Sequence, residues 1–382
     1  MKIRLHNPKK SDIVIFDLAG SDILQRTVLE DLDHTIIHAR FERYHITPYI
    51  LLYMLKNLNK INFLRGDGIT LKRKVRFLAG QLYKIYLLSC IEHIRPKVVL
   101  TFIDNSYWFQ AISRIYKKCE FYAIQNGVRS RYDVTEWLPA PPHPASTISM
   151  PNLVCFGTYE IELYKKYNHS ISAFHPVGPL VGSYYKSELA KDNAMAEFDI
   201  CLVSQWHDSI MSDQEYPEIK SGLVILDEYL SKYVNKTKAS LCIALRSGDP
   251  RELQYFYGIY GDRATIIEND REAMSTYAAM DRGAMIVAFD STAAREAFGW
   301  GKKVLFCNFS GDDNYDSPRN GIWFISENNY EKFEERLGYI QQIDDVEYQN
   351  QANDYQHYLM HYDFKLPAHR YVRNLILDCI KK

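Results

Sequence analysis

Short apolar runs rich in β-branched residues alternate with longer amphipathic stretches along the whole chain. That alternation predicts repeated β-α-β units, hence parallel sheets covered by helices. Residues 12–17 (DIVIFD) read as an opening strand. Between about 70 and 95, Val75, Leu78, Leu82, Ile85, Leu88 and Ile91 recur at helical spacing, which predicts a helix with that face on a core. Pro96 ends it, and 97–103 (KVVLTFI) reads as a buried strand. A helix over 107–118 leads to a strand at 121–125, and the pattern recurs at 153–156.

The series then pauses. Gly178-Pro179-Leu180-Val181-Gly182-Ser183 and the polar stretch 186–197 read as an interdomain linker, punctuated by Gly and Pro and solvated by charge. Strands are predicted again at 198–203, 240–245, 264–267, 284–289 and 303–307, with helices between them. From Glu347 onward no strand signal appears, and a helix over 371–380 closes the chain. The expectation is two α/β domains, 1–185 and 186–350, and a helical tail, 351–382.

A length of 382 residues accommodates that arrangement. The formal charge of −1, from 46 Lys and Arg against 47 Asp and Glu, lacks the cationic excess of a general nucleic-acid binder, so no nucleic-acid partner is expected. Seven cysteines with no CxxC pair fit neither a zinc cluster nor a disulfide framework and suggest a reducing cytosol. Cys155, Cys201, Cys242 and Cys307 lie in apolar runs and are expected in cores. The first apolar run, 13–18, is too short for a signal peptide, and no 18-residue apolar stretch occurs, so a cytoplasmic protein is expected. The histidines show no ligand spacing, so no metal is expected.

In open α/β sheets ligands bind beyond the carboxyl ends of the strands. The residues that follow the predicted strands are polar throughout: Asp104-Asn105, Gln125-Asn126-Gly127, Ser204-Gln205-Trp206-His207-Asp208, Arg246-Ser247-Gly248-Asp249 and Asp290-Ser291-Thr292. Each has an ordinary structural explanation, since Asn-Gly favours turns and Ser or Thr caps helices. Five such clusters at one edge point to a ligand-binding crevice. In the sharpest, Phe289–Ala297, a strand ends at Ser291-Thr292 and an Ala-rich helix begins at once. Its N-terminus can receive a phosphate, with Glu296 one turn in facing the same ligand or a ribose hydroxyl; equally, this is a plain capped helix with an acidic first turn. Arg246 is either a phosphate or carboxylate partner or a surface cation. Glu268, after ATII, is either a ribose or base acceptor or a solvated loop carboxylate. His207 with Asp208, and Asp104, are the acid–base candidates. No GxGxxG follows a strand and no GxxxxGK[ST] occurs, which disfavours a dinucleotide-binding dehydrogenase and a P-loop NTPase.

Two further stretches stand out. Residues 65–76 (RGDGITLKRKVR) are strongly cationic and suit an anionic acceptor, a membrane surface or a solvated helix start. Residues 137–144 (WLPAPPHP) are either a lid presenting Trp137 and His143 or a rigid connection.

Taken in order, TFIDNSYWF (101–109), FYAIQNGVRS (121–130), CFGTYEIELYKKY (155–167), HPVGPLVGSYY (175–185), FDICLVSQW (198–206) and AFDSTAAREAFGWGKKVLF (288–306) resemble bacterial surface-polysaccharide glycosyltransferases of the GT-B architecture. Within these the chain is most similar to the β-Kdo transferase-like group, over roughly 85–310. The resemblance implies two Rossmann-like domains facing across a cleft, an acceptor mainly on the first, a sugar nucleotide mainly on the second, and a C-terminal helix returning to the first. It implies that Ser291 and Thr292 hold the donor phosphate, that Glu296 supports the nucleotide side, and that no metal or other cofactor is needed. Ser204, Arg246 and Glu268 join them on the donor side; Asn105, Gln125, Gly127, Trp206 and His207 fall to the acceptor and cleft.

The implied donor is CMP-Kdo and the implied acceptor a glycan or glycolipid of an O-antigen or capsule, with peripheral contact at the inner membrane. In some related capsule enzymes the loop that here reads Gln125-Asn126-Gly127 carries an acidic residue, which the resemblance makes a reason to count the amide Asn126 among the catalytic candidates, and Arg246 opens Arg-Ser-Gly-Asp-Pro in place of a basic or His-Pro element. Asp104 and Asp208 are then the strand-end carboxylates left to attack the anomeric carbon or to deprotonate the acceptor. The alternatives are a sialyl- or UDP-sugar transferase, an epimerase, a CDP-polyol phosphotransferase, or a non-catalytic glycan- or nucleotide-binding assembly protein.

Overall fold

A computed structural model describes the chain except for residues 1, 41–42, 62–69, 138–146, 191–194, 213–215, 318 and 382. It divides into two compact units, Met1–Val181 with Lys365–Lys382, and Gly182–Phe364.

In the first unit, β1 (Lys2–Arg4) pairs with β4 (Arg43–His45) in a small ribbon. The main sheet is built from β2 (Ile13–Phe16), β3 (His34–Ile37), β5 (Val98–Thr101), β6 (Glu120–Ile124), β7 (Ser149–Cys155) and β8 (Ser170–Pro176). Their order is β3-β2-β5-β6-β7-β8, with every pair parallel. Strands β2 (IVIF) and β5 (VVLT) are buried at every position and dominated by Ile, Val and Leu, as a sheet covered on both faces requires. One face carries the core around Leu87, Ile91, Phe109 and Tyr164. The other is closed by Leu24, Val28 and the C-terminal helix Ala368–Lys381, whose Val372 and Ile376 are buried there.

The second unit repeats the scheme with β9 (Phe198–Val203), β10 (Leu241–Ala244), β11 (Ala264–Ile267), β12 (Gly283–Ala288), β13 (Lys303–Cys307) and β14 (Phe324–Ile325). The order is β11-β10-β9-β12-β13-β14, again all parallel. Two such units are the paired Rossmann-like folds of the GT-B architecture. Cys155, Cys201, Cys242 and Cys307 are buried in the strands, as their apolar runs imply.

Several expectations need correction. The boundary lies at Val181/Gly182, and residues 351–364 belong to the second unit; only Lys365–Lys382 joins the first. The helix Asp345–Leu359 is held by Tyr348, whose hydroxyl donates to the Val304 carbonyl and accepts from the Val304 N–H, both at 3.0 Å, and by Tyr355 stacked on Trp323. The supposed linker is partly structured: a helix, Leu180–Tyr184, runs into a π-turn, Tyr185–Leu189. Tyr185 is buried there, donating to Asp281 at 3.0 Å and stacking on Tyr277. The helix Leu71–Ile94 buries only its later half; Val75, Leu78 and Leu82, expected on the core, are exposed. The edge strands β3 and β8 carry half-exposed polar residues, which is why no apolar run announced them.

Candidate functional site

In the second unit β9 is the first strand, and the chain builds outward from it on both sides, so the β9/β12 border is the topological switch point. Leu202 lies opposite Val287, so Ser204–Trp206 and Phe289–Ser291 leave the sheet together. Gln205 ties these loops. Its Nε2 donates to the Asp290 carbonyl and its Oε1 accepts from the Asp290 N–H, which uses both ends of the amide on one backbone unit. Ser291 then caps the helix Thr292–Gly299, accepting from the Ala294 N–H at 3.4 Å. Asp290 is turned aside into a pair with Arg295 at 2.7 Å, so the acid that precedes the helix start is neutralised by a partner of its own. By helix geometry the first-turn amides have no intrahelical carbonyl to bond and point out of the helix start. Thr292 is half-buried beside them.

The adjoining loop is organised by Glu252, which is wholly buried. Its carboxylate accepts from the N–H groups of Arg246 and Ser247 at 2.8 Å each, from the Ser247 hydroxyl at 2.7 Å and from the Ser204 hydroxyl at 2.5 Å. Ser204, expected on the donor, therefore spends its hydroxyl on the fold, where it also accepts from the Trp206 N–H at 3.1 Å. Arg246 is exposed at this edge, and among the described residues its guanidinium has no hydrogen-bond or salt-bridge partner. Glu268 is exposed after β11, the outer strand on that side, two strands from the switch point.

Trp206 is buried, with the Arg251 guanidinium 5.9 Å from its ring. Asp208 pairs with Arg251, which also holds Asp249. His207 is exposed and its Nδ1 lies 2.6 Å from the Ser209 hydroxyl. Behind the loop a small pocket is lined by Ser204, Gln205, Trp206, Met211 and Asp227. Burial pushes the Asp227 carboxyl up to about 7, against a hydrogen bond from Tyr255 at 2.8 Å.

Glu296 departs from expectation. It lies one turn below Thr292 but is buried, accepting from the Tyr277 hydroxyl at 2.9 Å. Burial pushes it up to about 8. A Cβ on Gly182 would lie 2.3 Å from its Oε2, so the glycine is what makes room for the carboxyl. In this packing Glu296 is a protonated interior carboxyl at neutral pH, not an open ribose acceptor.

In the first unit the switch point lies between β2 and β5. Asp104, after β5, is 1% exposed and forms a buried two-pronged pair with Arg129, Nε to Oδ2 at 3.0 Å and Nη2 to Oδ1. It also accepts from the Asn126 N–H at 3.4 Å, while the Asn126 side-chain oxygen accepts from Arg129 at 3.0 Å. With its oxygens so engaged, Asp104 fits a positioning residue rather than the nucleophile or base expected. Gln125 is likewise structural: its oxygen accepts from the Phe156 N–H at 3.1 Å, and its Nε2 donates to the Gly127 carbonyl and to Glu160, each at 2.9 Å. Glu160 also accepts from the Gly157 N–H at 3.0 Å, and burial pushes it up to about 7. Asn105 and Gly127 are half-buried beside this network.

Glu252, Arg129 and Glu160 were not singled out from the sequence, and Gln205 was named only as a member of the polar cluster after β9, with no role assigned to it. Nor was Asp17 singled out; it follows β2 in a left-handed conformation (φ 93°), buried and paired with Arg40 at 2.8 Å. The available signal was position: Asp17 directly follows β2, Gln205 lies two residues beyond β9, and Glu252 and Glu160 sit in the first turns of the helices after β10 and β7. The Trp137 side chain, residues 138–144 and residues 65–69 lie outside the described residues. Among the described residues no group of three His, Cys, Asp or Glu is placed to hold a metal ion, and no helix is long and apolar enough to cross a membrane.

A family described as "putative O-antigen biosynthesis protein" matches residues 122–372, about two thirds of the chain. The chain belongs to this family. No curated protein matches it in sequence. Solved structures match this family member over its whole length at low identity. An S. aureus MnaA–UDP co-structure aligns at 12% identity over 100% of this chain and 98% of that one, with a TM-score of 0.54. A UDP-N-acetylglucosamine 2-epimerase aligns at 13% over 98% and 97%, TM-score 0.52. The Methanocaldococcus jannaschii UDP-GlcNAc 2-epimerase in complex with UDP-GlcNAc and UDP aligns at 12% over 99% and 100%, TM-score 0.51. At such identities the likeness establishes the shared fold.

Proposed function

We propose that this O-antigen biosynthesis family member is a glycosyltransferase that moves a sugar from a nucleotide donor to a hydroxyl of a growing surface polysaccharide. The observation that carries the reading is the switch point of the second unit. There Gln205 locks two strand-end loops so that the start of the Thr292 helix and Arg246, which is unpaired among the described residues, occupy the ligand edge of one sheet. As the glycosidic C–O bond breaks, negative charge grows on the departing phosphate. Helix-start amides, the Ser291 and Thr292 hydroxyls and Arg246 oppose that charge without reorganising. The acceptor hydroxyl must lose a proton. Asp208, half-exposed and kept company by Arg251, is the strand-end carboxylate assigned to that step. Kdo from CMP-Kdo is the donor favoured by the sequence resemblance, and a glycan or glycolipid the acceptor.

Incubation with CMP-Kdo or UDP-sugars, with and without a glycan acceptor, tests this by mass analysis of products. Transfer dependent on acceptor is expected. Conversion of a UDP-sugar without acceptor would replace the reading with epimerisation, and transfer from UDP-sugars only would remove the Kdo assignment.

A further inference from the structure

Ten of the 22 exposed large apolar side chains among the described residues fall between Ile46 and Leu82, in the first unit. The helix Pro48–Lys56 buries Ile50 in the core and turns Leu51, Leu52 and Leu55 outward, the last two 64% and 65% exposed. It packs against the helix Leu71–Ile94, with Asn57 donating to Glu92 at 2.8 Å. On that second helix Leu71, Val75, Leu78 and Leu82 form one outward stripe at i, i+4, i+7 and i+11, Leu71 and Val75 being 77% and 59% exposed. Within a folded unit such a stripe should be buried; scattered apolar surface is normal, but a clustered patch marks an interaction site.

The polar residues among these apolar ones have a single sign. Among the described residues from Ile46 to Leu82 the charged side chains are Lys56, Lys60, Lys72, Arg73, Lys74 and Arg76, all of them cations. Lys72, Arg73, Lys74 and Arg76 are exposed and interleaved with the apolar stripe, and Lys56 closes the first helix. Apolar side chains flanked by cations match the interface of an anionic bilayer, where leucines enter the acyl boundary and cations meet headgroup phosphates. A second copy of the chain would set this cationic face against itself, and like charges repel.

We propose that the outward faces of these two helices dock the protein peripherally on an anionic membrane surface. The proposal rests on the first unit alone and stands apart from the assignment of sugar transfer. Co-sedimentation of the full chain with phosphatidylglycerol-rich vesicles and with phosphatidylcholine vesicles tests it. Strong binding to the first, weakened by salt, and little to the second is expected. Because each cation near an anionic surface is worth about fivefold in binding, the variant Lys72→Gln/Arg73→Gln/Lys74→Gln/Arg76→Gln should bind at least about tenfold more weakly. Leu52→Ser/Leu55→Ser/Leu71→Ser/Val75→Ser should lose binding while keeping its thermal unfolding transition, since these side chains are exposed. Absence of binding to anionic vesicles, or equal binding by the parent and both variants, overturns the proposal. Concentration-dependent self-association without lipid, abolished by the Leu and Val changes, would overturn it in favour of a second copy as the occupant.

Discussion

The Asp104–Arg129 pair separates structural from chemical roles at the level of single side chains. A buried ion pair broken on one side leaves an uncompensated charge. Arg129→Ala and Asp104→Ala should each cost about 3–5 kcal/mol in denaturant unfolding. A loss below about 1 kcal/mol in either would mean the pair is not structural. The buried carboxyls make a second, pH-dependent claim. Glu296 is pushed up to about 8, and Glu160 and Asp227 to about 7, against ordinary values of 4.5 for Glu and 3.8 for Asp. The folded state therefore holds more protons than the unfolded chain between those values. The stability these groups supply is full below about pH 4 and is lost as pH rises through 7 and 8, by up to about 1.4 kcal/mol per pH unit per group. Glu296→Gln mimics the protonated form and can still accept from Tyr277. It should flatten the fall in melting temperature between pH 6 and 8. An unchanged slope would show that Glu296 is ionised in the folded protein.

At the level of elements, the loops after β9 and β12 depend on one amide. Gln205→Ala removes both bonds to the Asp290 backbone and should weaken nucleotide binding about tenfold or more while the sheet remains intact. Equal affinity, measured by titration calorimetry, would show that the tie does not shape the site. This element-level organisation was partly legible. The strands β5, β9, β10, β12 and β13 are each built around a run of three or more apolar residues, so their ends, and the polar residues after them, could be located from sequence. What each of those residues bonds could not. Ser204 and Gln125 read as ligand groups but hydrogen-bond within their loops, because their partners, Glu252 and Glu160, sit a helix turn beyond a different strand. Periodicity misled in the Leu71–Ile94 helix for the opposite reason: a stripe at helical spacing shows that one face is apolar, not that the fold covers it.

Over the whole molecule, repeated β-α-β patterning made the paired Rossmann-like units legible. The domain boundary was less so, since Gly178–Ser183 looks like a linker yet its second half opens a helix of the next unit. The net charge of −1 likewise averages over unlike regions, among them a cationic helix pair and a helix start whose neighbouring Asp290 is paired with Arg295. The central claim is that the second unit binds the nucleotide of a sugar donor at its switch point. It is tested most directly by ligand-induced thermal shift with CMP, CDP, UDP and GDP, on the parent chain and on Thr292→Ala and Ser291→Ala/Thr292→Ala. The account predicts a clear shift with CMP, reduced in the single variant and abolished in the double one, each compared with its own ligand-free transition. No shift with any nucleotide, or the same shift in all three proteins, would contradict it.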